Sequence, residues 1–187
     1  MTIDKILDDI YPLPEVSKLN LIKNITTVSY PKGFILLRAD KVGKNIYFIK
    51  KGILRAYARI ADNEITFWFG KEGDTVISMK SYVANHKGYE DVELLEDSDL
   101  YALNMEDLQN LFNNDIHIAN WGRKFAEQEL VKTEERFISR QFQTATERYK
   151  ELMTNNPDLL QRVQLGHIAS YLGITQVSLS RIRASIK

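Results

Sequence analysis

Apolar and polar positions change rhythm twice along this chain. Up to Pro31-Lys-Gly33 they fit short helices at Ile3–Asp9 and Glu15–Asn24. From there to about Asn104 they fall into short blocks rich in β-branched and aromatic residues, at Phe34–Arg38, Asn45–Lys50, Ile53–Ile60, Ile65–Phe69, Val92–Leu95 and Leu100–Leu103. Turn formers separate the blocks: Gly33, Lys41-Val-Gly43, Lys51-Gly52, Ala61-Asp-Asn63 and Gly70–Asp74. Short strands at this spacing predict an antiparallel roll or jelly-roll barrel. Helical stripes then return. Asn104 is placed to cap Met105–Phe112, with Asp107 near its positive end, and Asp115 to cap a long helix reaching about Ser139. That helix carries two offset stripes, one with Ile118, Trp121 and Phe125, the other with Ala119, Ala126, Leu130, Thr133 and Phe137. One face suits the roll of the same chain and the other a second copy, with Ala126, Leu130, Thr133 and Phe137 as the dimer seam. The alternative is burial of both faces within one subunit. A further helix is predicted at Thr144–Thr154, broken by Asn155-Asn-Pro157-Asp158, and Leu159–Arg162 leads into the last segment.

That segment, Gln164 to Arg183, reads as two short helices meeting at Gly173. Ala169 is small where two helices cross closely, and Gly173 can adopt the φ > 0 value that ends the first helix. Thr175 can cap the second by accepting from a free backbone N–H. Leu172, Ile174, Leu179 and Ile182 face inward and fix the angle between the helices, while Gln176, Val177, Ser180, Arg181 and Ala184 face out. A short, polar, unencumbered helix is what reading a DNA major groove requires. An ordinary helical hairpin is the competing reading. The expected fold class is α+β: an antiparallel β-roll (jelly roll) with flanking helices in residues 1–114, a long dimerisation helix in 115–139, and a helix-turn-helix in 140–187.

Composition narrows the chemistry. The chain has 187 residues, enough for one large or two unequal domains, with 44% apolar and 27% charged residues. No apolar run approaches the roughly 20 residues of a membrane helix, and Met1-Thr-Ile-Asp lacks a secretory start, so no membrane partner and a cytoplasmic location are expected. Zero cysteines exclude disulfides, thiolate zinc, iron–sulfur clusters and cysteine nucleophiles. The formal net charge is zero but unevenly spread. Residues 140–187 hold 7 Lys+Arg against 3 Asp+Glu, and residues 1–139 hold 18 against 22. The basic part coincides with the helix-turn-helix.

A roll, a long helix and a terminal helix-turn-helix, in that order, resemble the Crp/Fnr family of bacterial transcription regulators, and more narrowly its short, Bacteroidetes-type members. In the roll the resemblance rests on Pro31-Lys-Gly33, Ile46-Tyr-Phe-Ile-Lys-Lys-Gly52 leading to Ile53-Leu-Arg55, and Gly73-Asp74. In the tail it rests on Ala145-Thr-Glu-Arg-Tyr149, Pro157, Ile168-Ala-Ser-Tyr-Leu-Gly-Ile174 and Leu179-Ser-Arg-Ile-Arg183. It implies a cyclic-nucleotide-binding-like sensor roll, a dimerising helix, a palindromic promoter site as double-stranded DNA partner, and contact with RNA polymerase. Gln176, Val177, Ser180 and Arg181 would read bases. Thr175, Ser178, Arg183, Lys187 and His167 would touch the DNA backbone. Gln176 and Val177 stand where many members place Arg and Glu, so the half-site preference should differ. Arg181 matches a base-reading position and suits guanine O6/N7. The chain ends at Lys187, where the family usually continues into a β-hairpin wing; a naturally short member and a cut chain both stay open.

The roll departs further. Members that bind a cyclic nucleotide hold the ribose with Glu and the phosphate with Arg. The corresponding positions here are Ile77-Ser78 and Gly88-Tyr89-Glu90, and no arginine occurs between Arg59 and Arg123. The stretch Glu90–Asp99 is acidic, so an anionic phosphate would meet repulsion. Neither cyclic AMP nor cyclic GMP is expected as effector. Any other effector would sit near Ser78, Lys80, Ser81, Tyr82 and Tyr89, the two tyrosines taken as exposed. His86 and His117 are isolated, so haem and metal are not expected, and no cofactor is assigned. A cupin-like enzyme lacks its His-x-His pair, and there is no Gly-x-Ser-x-Gly elbow or P-loop. A protein-interaction module, or a small-molecule sensor without DNA binding, is the remaining alternative.

Overall fold

The computed structural model describes residues 1–61 and 63–186. Two helices, α1 (Ile3–Ile10) and α2 (Glu15–Ile22), lead into strands β1 (Ile25–Tyr30), β2 (Ile35–Leu37), β3 (Asn45–Lys51), β4 (Leu54–Ile60), β5 (Asn63–Gly70), β6 (Thr75–Val76), β7 (Asp91–Leu94) and β8 (Ser98–Asn104). A short helix, α3 (Met79–Ala84), separates β6 from β7. Then follow α4 (Met105–Asn114), α5 (Ile116–Phe142), α6 (Ala145–Asn155), α7 (Pro157–Arg162), α8 (Leu165–Leu172) and α9 (Gln176–Ser185). All strand pairs are antiparallel and form two four-stranded sheets, ordered β1-β8-β3-β6 and β2-β7-β4-β5. This is the expected roll.

Three apolar clusters hold it together. One lies between the sheets and includes Tyr47, Ile49, Leu54, Val92, Leu94 and Leu100. A second covers the outer face of the first sheet, where Ile46 and Phe48 meet Leu7, Leu21, Leu108, Ile118 and Trp121 from α1, α2, α4 and α5. Strand β3 is therefore buried on both faces, which is why it reads as an unbroken apolar run rather than an alternation. Each large side chain buried this way contributes roughly 1.5–3 kcal/mol. The Trp121 indole N–H donates to the Leu7 carbonyl at 3.0 Å, so the first half of α5 is fixed to the N-terminal helices. The third cluster joins Tyr149, Leu152, Leu159, Val163, Ile168, Ala169, Leu172 and Leu179 of the tail to Ile53, between β3 and β4.

The starts of α4 and α5 follow the caps read from sequence, and α6 adds one that was not. Asn104 accepts from Glu106 N–H, and Asp115 from His117 and Ile118 N–H. Thr144 and Glu147 form a reciprocal capping box at α6. Four elements were not anticipated: β1, β6, α3 and α7, the last of which starts at Pro157 inside the segment read as a break. Strand β1 is an edge strand with a half-exposed face, and β6 and α3 are too short to show a period. Helix α5 also runs past Ser139 to Phe142.

Candidate nucleic-acid interface and roll interior

The last two helices meet as their residues require. Gly173 takes φ +68°, left-handed, and the Ile174 N–H returns to the Ala169 carbonyl at 3.0 Å. Thr175 Oγ1 accepts from Ser178 N–H at 3.1 Å and sits 3.0 Å from the Ser178 hydroxyl. Ser178 is thus engaged in the cap as well as available at the surface. Leu172 and Leu179 are fully buried, with Ile174 and Ile182 packed beside them. On the other side of α9, Gln176, Val177, Ser180, Arg181, Arg183 and Ala184 are exposed, as is Thr175. A Cβ on Gly166 would lie 2.5 Å from Gln176 Nε2, so the Gln176 side chain lies across the start of α8. Lys187 lies outside the described residues.

Helix α8 is docked on the roll. Strand β5 ends its sheet, and two of its backbone groups are met by one hydroxyl: Ser170 Oγ accepts from Thr66 N–H at 2.9 Å and donates to the Glu64 carbonyl at 2.8 Å. Tyr171 packs on Phe69 with ring centroids 5.2 Å apart. On α7, the Arg162 guanidinium forks onto Glu72, at 2.8 and 3.0 Å, and also reaches Glu96. Lys71 pairs with Asp158 at 3.2 Å. The Arg162 bond holds the Glu72 carboxyl down at about 2, helped by the Gly52 N–H. Behind this seam Arg55 is buried, bonded to Glu93 at 2.8 Å and Glu64 at 2.5 Å and stacked over Tyr57. The DNA-backbone candidate His167 sits here too, half-buried in a groove of about 240 Å³ with Lys32, Glu93, Leu95, Arg162 and Gln164. Burial, then the nearby Arg55 charge, push its pKa down. Arg148 closes the hinge, donating to the carbonyls of Gln143 at 2.6 Å and Leu172 at 2.7 Å. His167 was singled out for DNA, and none of these docking contacts was identified from sequence. Their partners lie up to 106 residues away, and no local pattern signals them.

Past Phe125, α5 keeps one bond to α1, from the Gln128 side-chain amide to the Ile10 carbonyl at 2.9 Å, and its apolar residues become exposed. Ala126, Leu130, Thr133 and Phe137 are all exposed, Leu130 at 71% and Phe137 at 67%. Val131, Ile138 and Phe142 form a further exposed apolar stripe beside them.

In the roll, the segments Ile77-Ser78 and Gly88-Tyr89-Glu90 come together at α3. Ser78 and Ser81 are buried, Lys80 and Tyr89 exposed. Tyr82 is not exposed as expected: it is half-buried against the helical cluster, because α3 turns it inward, and burial raises its pKa. Ser81 Oγ accepts from Gly43 N–H at 3.0 Å and donates to the His86 carbonyl at 2.9 Å, which commits both its bonds to the fold. Two surface concavities, of about 340 and 240 Å³, lie elsewhere and include none of the five candidate effector residues. Among the described residues no three His, Cys, Asp or Glu side chains gather as a metal site, and no helix is long and apolar enough to cross a membrane.

Comparison with known proteins agrees with this architecture. The family described as the cyclic nucleotide-binding domain matches residues 27–115. No curated protein matches the sequence. Among solved structures, a Eubacterium rectale chain described as a regulator of the Crp/Fnr family superposes with a TM-score of 0.73 at 16% identity, covering 95% of this chain and 87% of that one. FixK2 of Bradyrhizobium japonicum gives 0.71 at 20% identity, covering 87% and 84%. The c-di-GMP-responsive global regulator CLP of Xanthomonas campestris gives 0.69 at 15%, covering 92% and 91%. At these identities the likeness is one of fold.

Proposed function

We propose, for a chain whose roll is a domain of the cyclic nucleotide-binding type and whose whole fold is that of Crp/Fnr regulators, that it is a dimeric, sequence-specific DNA-binding transcription regulator. One observation carries the reading. Helix α9 buries Leu179 against its neighbours and presents Gln176, Val177, Ser180 and Arg181 to solvent on a fixed scaffold. Arg181 reads guanine through its planar fork and Gln176 reads adenine, once its side chain swings off Gly166. Thr175, Ser178 and Arg183 flank them as backbone contacts. His167 is a weaker candidate for that role, being turned toward the roll. The dimer forms through the exposed Ala126–Phe137 stripe of α5, and RNA polymerase is the downstream partner. The chain works in the cytoplasm, and its roll does not take cyclic AMP or cyclic GMP as effector.

Selection from random duplexes at low salt tests the central reading. The wild type should enrich a palindrome whose half-sites lie about 34 Å apart, one helical turn. Arg181→Ala should weaken binding by about 1–3 kcal/mol and relax one base pair per half-site. Arg183→Ala should weaken all sequences alike and flatten the salt slope by about one. A wild type that enriches no palindrome leaves α8 and α9 as a helical hairpin. For the roll, calorimetry at neutral pH should detect no micromolar binding of either cyclic nucleotide.

A further inference from the structure

Between α3 and β7 the chain folds a carboxylate back on itself. Glu90 is only 7% exposed, and one of its oxygens, Oε2, accepts from the Tyr89 N–H at 3.0 Å. Gly88 makes the fold possible. A Cβ there would lie 2.9 and 3.0 Å from the two Glu90 carboxylate oxygens and 2.7 Å from Ser78 Oγ. A side chain at 88 would therefore collide with both groups. Ser78 is 3% exposed, and its hydroxyl is the one buried side-chain polar atom without a hydrogen-bond partner among the described residues. A buried hydroxyl and a buried carboxylate each carry a desolvation cost unless they are bonded. Here an unpartnered donor and a carboxylate with spare acceptor capacity crowd the same face of one glycine. Among the described residues no lysine is committed to the spot: Lys80 lies over the Tyr89 ring at 5.3 Å, and Lys87 is exposed.

We propose that Gly88, the Tyr89 N–H and the Ser78 hydroxyl form a carboxylate-binding cradle and that Glu90 is its built-in occupant, held in the structure by the Tyr89 N–H and engaged fully once the Ser78 hydroxyl, unpartnered here, turns onto it. The roll is thereby held closed around a ligand supplied by its own chain, and a second anion is repelled by the charge already in place. The chemical class of the site is a small carboxylate. Its regulatory consequence is a roll that needs no anionic effector from solution.

Thermal unfolding of the full chain tests this without DNA, so its outcome is separable from that of the regulator reading. Glu90→Ala should lower Tm. Sodium formate should restore it saturably, while sodium chloride at equal ionic strength should not. The wild type should not respond to formate beyond the chloride control. Ser78→Ala should lower Tm in the wild type, leave Tm unchanged in the Glu90→Ala background, and abolish formate rescue. Should Glu90→Ala not fold, the same cycle with Glu90→Gln reads the coupling, because the amide keeps the volume and loses the charge. Additive effects of the two substitutions, or no rescue by formate in a folded Glu90→Ala, would overturn the proposal. So would tight binding of inorganic phosphate or cyclic AMP by the wild type.

Discussion

At the scale of single residues, the turn and the latch differ in how they can be read. Gly173 and Thr175 act on neighbours within five residues, so their roles follow from sequence. A Cβ on Gly173 would meet nothing within 4 Å, leaving only the left-handed backbone against it. Gly173→Ala should therefore cost about 1–2 kcal/mol and Gly173→Asn less, as measured by urea unfolding. Arg162 is invisible by the same means, because Glu72 and Glu96 are brought to it only by the folded roll. Its effect is pH-dependent in a defined direction. The Glu72 carboxyl is held at about 2 against an ordinary 4.5, so it binds protons less readily folded than unfolded. The stability this supplies is present above pH 4.5 and is lost as pH falls toward 2. Arg162→Met should be less stable than wild type at pH 7 by about 2 kcal/mol, after discounting for solvent screening. The gap should close as unfolding is repeated from pH 5 down to 2. A constant gap would mean the ion pair is not its source.

At the scale of elements, legibility followed length and one-sidedness. Helices α4 and α5 and the longer strands were readable because caps, stripes and turn residues agree over many positions. The two-residue β6 and six-residue α3 offer no such repetition, and β1, opening with Ile25-Thr-Thr between a helix and Pro31, gave no clear break. The two stripes of α5 have separate fates within this chain. Ile118, Trp121 and Phe125 are buried, whereas Ala126, Leu130, Thr133 and Phe137 are left exposed by the described residues. Charge placed on that stripe should stay solvated in a monomer and be desolvated in a two-fold seam. Leu130→Glu or Phe137→Glu should accordingly give monomers by light scattering, with near-wild-type far-UV circular dichroism. Variants that remain dimeric would move the seam elsewhere, for which Val131, Ile138 and Phe142 supply the nearest apolar surface.

At the scale of the whole molecule, the chain order of roll, long helix and helical tail was readable, but the way the tail rests on the roll was not. Composition gave a basic tail and a more acidic remainder, and the structure turns that contrast into contacts, with Arg162 of the tail on Glu72 and Glu96 of the roll. The hydroxyl of Ser170, seated against β5, has a consequence for measurement. While it stays there, the Thr66 amide proton is shielded from water by a side chain of the neighbouring helix rather than by a partner strand. Its exchange with deuterium therefore reports how often the tail lifts from the roll, independently of whether the roll itself unfolds. Ser170→Ala should speed exchange at Thr66 while leaving Ile49, deep between the sheets, at the rate of global opening. Equal rates at both sites would mean that tail and roll open only together, as one cooperative body.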